Sequence, residues 1–184
     1  MNIDNNEGGL VVALEELEVH LLRDLVDQLV TLATPESNPE NPQDELAMLV
    51  GIDSDASKPT DPVLTRLYPD AYPEDAEASL EFRRFTERSL RTASIERAQR
   101  VREMLNPDVD ITIDREAWAD WVGCINDLRL ALGTRLDISE SLEDSEVAAD
   151  DPRAALFDLY GWLTWMQDAL INEGYFDEGS NSED

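Results

Sequence analysis

Residues 151–171 read DPRAALFDLYGWLTWMQDALI. Asp151 suits a helix N-cap, and Pro152 suits the first helical position, where no amide donor is needed. At about 100° per residue, Leu156, Leu159, Tyr160, Trp162, Leu163, Trp165, Met166, Ala169 and Leu170 cover well over half of the circumference. Gly161, Thr164, Asp168 and Asn172 leave only a narrow polar arc. A helix apolar on most sides must be wrapped by other helices or by a second subunit. The stretch is therefore expected to be the central post of an all-helical domain, and a homodimer is a second way to cover it. The fold class that follows is mainly α: a single-domain bundle of about five helices, with room for one small two-stranded β ribbon.

The rest of the chain supplies the partners of that post. Residues 1–9 are polar and read as a flexible N-terminus, residues 10–173 as one helical domain, and residues 174–184 as an acidic tail. The run Leu10–Leu14 could be a strand. After it, Leu14, Leu17, Leu21, Leu25, Leu29 and Leu32 recur at helical spacing and predict a helix over 15–33. Pro35, Pro39 and Pro42 then forbid continuation. A short helix is expected over 43–50, ended by Gly51. Asp61-Pro62 starts another short turn of helix to Leu67. A long helix follows over 76–105, with Phe82, Phe85, Leu90, Ala93, Val101 and Met104 as its expected inner side. Asn106-Pro107 breaks it. Asp110–Ile113 alternates like a strand, and Asp114 caps a helix to Leu136.

The formal net charge is −28 over 184 residues. A duplex is a dense line of phosphates whose binding takes a basic footprint, so direct DNA binding is disfavoured. Anionic membranes are disfavoured by the same sign. No apolar run approaches the ~20 residues of a membrane span. The N-terminal residues lack the basic and apolar regions of a signal peptide, which makes a cytoplasmic location the expectation. The charge serves solubility, or it suits a partner with a basic face.

Among the 14 basic residues only Lys58 is a lysine. Arginine prefers planar, bidentate pairing with carboxylates. Arg84, Arg88, Arg91 and Arg102 fall in one sector of the long helix. They read either as internally paired or as a docking ridge for an acidic partner. Arg129 projects onto the apolar face of the 114–136 helix, and Arg135 lies at its edge. A buried guanidinium needs a partner, so these two are buried ion-pair candidates, with a ligand-anion site as the alternative. The pairs Trp118/Trp121 and Trp162/Trp165 have i, i+3 spacing and read as core or as a dimer seam.

Little in the chain suggests catalysis. There is no GxGxxG, P-loop, GxSxG or HExxH pattern, so no catalytic, cofactor-binding or metal residues are assigned and the protein is not expected to be an enzyme. The one histidine, His20, sits on a polar helical face. The one cysteine, Cys124, excludes an intramolecular disulfide. It is either a small buried hydrophobe or a redox-reactive thiol whose pKa nearby arginines would have to lower.

Four ordered stretches carry a resemblance: DPVLTRLYPDAY (61–72), EFRRFTERSLR (81–91), NDLRLALGTRL (126–136) and YGWLTWMQDAL (160–170). Together they resemble the actinobacterial AosR-like oxidative-stress transcription regulators, formerly described only as a domain of unknown function. The similarity spans about residues 10–172. It implies redox-linked control of transcription by contact with a sigma factor or RNA polymerase. The cysteine content departs from that picture, because a switch built on paired thiols cannot operate with Cys124 alone. The alternative function is a structural or adaptor module unrelated to redox.

Overall fold

Where helices begin and end follows local capping chemistry, and a computed structural model shows it for residues 1–6, 9–35, 57–138 and 151–174. Five helices and three strands lie within these residues. Strands β1 (Asn2–Asn6) and β2 (Gly9–Ala13) precede helix α1 (Glu16–Ala33), then α2 (Pro62–Leu67) and α3 (Ala76–Met104). Strand β3 (Ile111–Ile113), α4 (Arg115–Leu136) and α5 (Ala154–Glu173) complete the order. The helix expected over 43–50, the acidic connection over 139–150 and the tail over 175–184 lie outside the described residues.

The ribbon has three strands rather than two. β2 is central, antiparallel to β1 on one side and to β3 on the other. Leu10, Val12, Ile111 and Ile113 alternate inward and are buried, as period-two patterning requires. Residues 1–9, expected to be flexible, contain β1. Its side chains are mostly exposed and polar, which hid it, because an edge strand needs only its backbone to pair. Asn5 Nδ2 also donates to the Glu173 carbonyl at 2.7 Å, tying this edge to the end of α5. Gly9 has φ +126°, and a Cβ there would stand 2.4 Å from the Ile113 carbonyl oxygen, so only glycine fits between the strands.

Capping follows the sequence at α2, α3 and α4, but not at α5, which begins at Ala154 with Arg153, not Asp151, at its N-cap and no side-chain cap bond. Asp151 instead accepts from the Arg153 amide at 2.7 Å, ahead of the helix. The Asp61, Asp75 and Asp114 side chains accept from the Val63, Ala78 and Ala117 amides at 2.8, 2.9 and 2.8 Å. Glu15 and Glu18 form a capping box at α1. α4 ends on Asp137 in the left-handed region (φ 56°), with the Ile138 amide donating back to Gly133.

Two faces differ from expectation. The central post is α4, which packs against α1, α2, α3, α5 and β3. Its Trp121, Cys124 and Ile125 are fully buried. α5 rests mainly on α4 and β1. It buries Leu163, Met166, Gln167 and Leu170, while Trp165 is 48% exposed on the outer side. Its apolar residues exceed the one face that the fold covers.

On α3 the expected inner side is also displaced. Val101 is buried and Met104 packs against the core, but Phe82, Leu90 and Ala93 are exposed and Phe85 is 53% exposed. The buried positions of this helix are Ser79, Arg83, Arg91, Ser94, Ala98 and Val101. Paired arginines, not phenylalanines, seat its N-terminal half. On α1, similarly, the core takes Val19, Leu22, Val26, Leu29 and Ala33; of the leucine repeat, Leu29 is buried, Leu14 and Leu25 pack against the core, and Leu17 and Leu21 are exposed.

Candidate functional site

The thiol is the first candidate. Cys124 is fully buried on the inner face of α4 and is free. Burial pushes its pKa up to about 12; the Asp127 carboxylate adds to this, and Arg97 opposes it without prevailing. Asp127 itself sits above the usual carboxylate range because it is buried, although Arg97 Nη2 stands 3.3 Å away and Ser94 Oγ donates to it at 3.2 Å. At pH 7 roughly one thiol in 10⁵ would be thiolate, and the thiolate is the reactive form. Of the two readings of Cys124, this environment supports the buried hydrophobe.

The four-arginine ridge divides. Arg91 is buried: it donates to Glu87 and to the Ala33 carbonyl and lies 5.1 Å over the Tyr68 ring. Arg102 pairs with Asp27 of α1 at 3.0 Å. Arg84 and Arg88 are half-exposed and make no ion pair among the described residues. Two internally paired members leave no continuous docking ridge of four cations. The pattern also missed Arg83, which is 5% exposed and reaches Asp70 at 2.8 Å, the Tyr68 carbonyl at 3.1 Å, and Glu87. Only the i, i+4 spacing of Arg83, Glu87 and Arg91 hinted at this network.

The ion-pair candidates separate as well. Arg135 Nη2 donates to Asp61 Oδ2 at 2.7 Å, but at the surface rather than in the core. Burial raises the Asp61 pKa, yet Arg135 and the Val63 amide outweigh it and hold that carboxyl below its ordinary value. Arg129 is half-buried between α4 and α5 and has neutral partners. It donates to Thr164 Oγ1 at 3.0 Å and to Gln167 Oε1, and it stacks 5.6 Å over Tyr160. An uncharged acceptor pair replaces the expected carboxylate because both acceptors lie on the facing turn of α5.

The tryptophans are mostly core. Trp121 is fully buried with Nε1 towards Met104 Sδ. Trp118 donates to the Leu170 carbonyl at 2.7 Å, and Trp162 packs against the core. Only Trp165 faces outward. His20 is exposed beside Glu16 at 3.7 Å, and no cluster of three or more metal-ligating side chains occurs among the described residues. No described helix is long and apolar enough to cross a membrane.

Set beside known proteins, the chain has extensive relatives. An AosR protein of Mycobacterium leprae is 35% identical over 170 residues, 84% of this chain and 77% of the relative. The oxidative stress regulators AosR of Mycobacterium bovis and Mycobacterium tuberculosis are each 34% identical over 172 residues, with the same coverage. No solved structure matches. The family model described as Domain of unknown function (DUF2017) matches residues 2–173, and the chain belongs to that family.

Proposed function

We propose that the protein is a regulator of the oxidative-stress response that acts by touching other proteins of the transcription machinery, a sigma factor or RNA polymerase, rather than by catalysis or by gripping DNA. The observation that carries the first part is the 34–35% identity, over 84% of the chain, to proteins named as oxidative stress regulators. The second part rests on charge. A net −28, with Arg83, Arg91 and Arg102 drawn into ion pairs, opposes contact with phosphates and favours a partner with a basic face.

Crosslinking pull-down of the full chain from oxidant-treated cells tests this. A sigma factor or polymerase subunit is expected in the crosslinked fraction, enriched by oxidant. Recovery of no transcription protein refutes the reading. The burial of Cys124 favours a second one, a non-redox adaptor. That reading predicts the same partner in equal amount with and without oxidant, and an unchanged result for Cys124→Ser.

A further inference from the structure

Helix α1 has two apolar faces, and among the described residues one is covered. Beside the buried face run Leu17, Leu21, Leu25 and Leu32. Leu17 is 77% and Leu21 38% exposed, Leu32 is half-buried, and Leu25 is half-buried with part of its side chain packed against the core. From Leu17 to Leu32 the helix rises about 22 Å, some four turns. The C-terminal half of this ridge forms one wall of a groove of about 690 Å³, and Leu128, Ala131 and Leu132 of α4 line the other. Asp24, Asp27 and Gln28 lie along its α1 side. The nearest cations are committed: Arg102 to Asp27, and Arg135 to Asp61. Asp24 makes no ion pair among the described residues.

We propose that this ridge and groove seat an amphipathic helix of a protein partner, about four turns long, with lysines or arginines flanking its apolar face. This rests on the protein-contact reading above and names the surface that would serve it. Two observations select the occupant. The ridge is longer than any pocket-sized small molecule, and helix-in-groove recognition uses anchors at the same i, i+3, i+4, i+7 spacing that α1 offers. With Asp27 paired to Arg102, Asp24 leaves the flank negative on a chain of net −28, which repels a second copy of the chain.

The probe is a fluorescein-labelled 18-residue peptide of leucine and lysine with its leucines on one helical face, read by anisotropy against the full chain. A matched peptide with glutamate in place of lysine is the control. The glutamate peptide should bind at least tenfold more weakly. The double variant Leu17→Asp/Leu21→Asp should weaken the lysine peptide at least tenfold, although it makes the chain more negative. Asp24→Lys, an exposed change, should weaken it several-fold. Undiminished binding by the double variant, with an unchanged circular-dichroism spectrum, overturns the proposal, because the attraction would then be diffuse charge alone. So does a dimer in sedimentation velocity that the double variant dissociates, which would seat a second copy. So does peptide binding that appears only when residues 36–56 are replaced by a Gly–Ser linker. In the crosslinking pull-down, equal recovery of a transcription protein by wild type and double variant sinks the proposed seat on α1 and leaves the regulatory reading standing. Peptide binding that meets these expectations, with no transcription protein recovered, sinks the regulatory reading alone.

Discussion

The seating of α3 by arginines rather than phenylalanines makes a sharp prediction. In Arg83→Met the aliphatic stem is kept and the guanidinium removed. Arg83 is 5% exposed, and breaking a buried ion pair from one side costs about 3–5 kcal/mol when it strands the partner charge. Here neither carboxylate is stranded. Asp70 keeps Lys58 at 2.5 Å, and Glu87 keeps Arg91 at 2.5 Å. What is lost outright is the donor to the Tyr68 carbonyl and the bridge between α3 and the segment before it. A net loss of about 2–3 kcal/mol follows from that one charge-assisted bond, whose removal leaves the buried carbonyl unsatisfied. Phe85→Ala removes a ring that is 53% exposed, so it should cost at most about 1 kcal/mol of the ~1.5–3 that a fully buried phenylalanine contributes. Urea unfolding followed by far-ultraviolet circular dichroism measures both. For a domain of this size the arginine variant should melt about 4–12 °C below wild type. If Phe85→Ala destabilises more than Arg83→Met, the assignment of the inner face of α3 is wrong.

Gly9→Ala should lose about 1–3 kcal/mol, from the positive φ and the approach to the Ile113 carbonyl, seen as a lowered urea midpoint. Cys124 should resist Ellman's reagent at pH 8 in the native protein and react fully in denaturant, and rapid native modification would contradict its burial. Asp127 has a folded pKa above its unfolded value, so its contribution is present below the unfolded carboxylate value of about 4 and is lost as pH rises through the raised folded value. Urea midpoints of Asp127→Asn against pH should lack that fall, and an unchanged profile would show that the group carries no such linkage.

The starts of α2 and α4 were legible because capping is a conversation between neighbours, whereas Asp151-Pro152 lies just outside α5. Asp61 before Pro62, and Asp114 before its helix, each reach an amide two or three residues on, well within the sequence window that defines them. Orientation was less legible. Arg91 is buried through Ala33, 58 residues away, and Arg83 through Tyr68, 15 residues away. Periodicity within one helix says which residues share a face, not which of two faces a distant carbonyl will claim. The same limit applies to α5, whose nearly all-round apolarity reads as centrality although the fold covers one side only. Strand β1 escaped for a different reason: its pairing is carried by backbone groups, and its polar side chains give no alternation to detect.

The buried thiol and the outward leucines bear on one another. If the protein serves the oxidative-stress response, the oxidant has to be read somewhere, and a fully buried sulfur with its pKa pushed up to about 12 is a poor reader. Lowering that pKa into the reactive range would take either exposure of the inner face of α4, which is packed against four other helices, or a cation closer than Arg97, whose guanidinium is already shared with Asp127 and Ser94. Opening α4 means unfolding the core. On the protein-contact reading proposed above, the redox event falls to the partner, with this chain responding to the partner's shape rather than to the oxidant. A responder of that kind needs a preformed seat whose occupancy changes without its own refolding, and the ridge on α1 meets that requirement, since Leu17 and Leu21 contribute little to the core. Oxidant-treated partner presented to untreated chain should therefore reproduce the effect of treating both, whereas oxidant given to the chain alone should do nothing. The reverse result would place the sensor here and force the core around Cys124 to open.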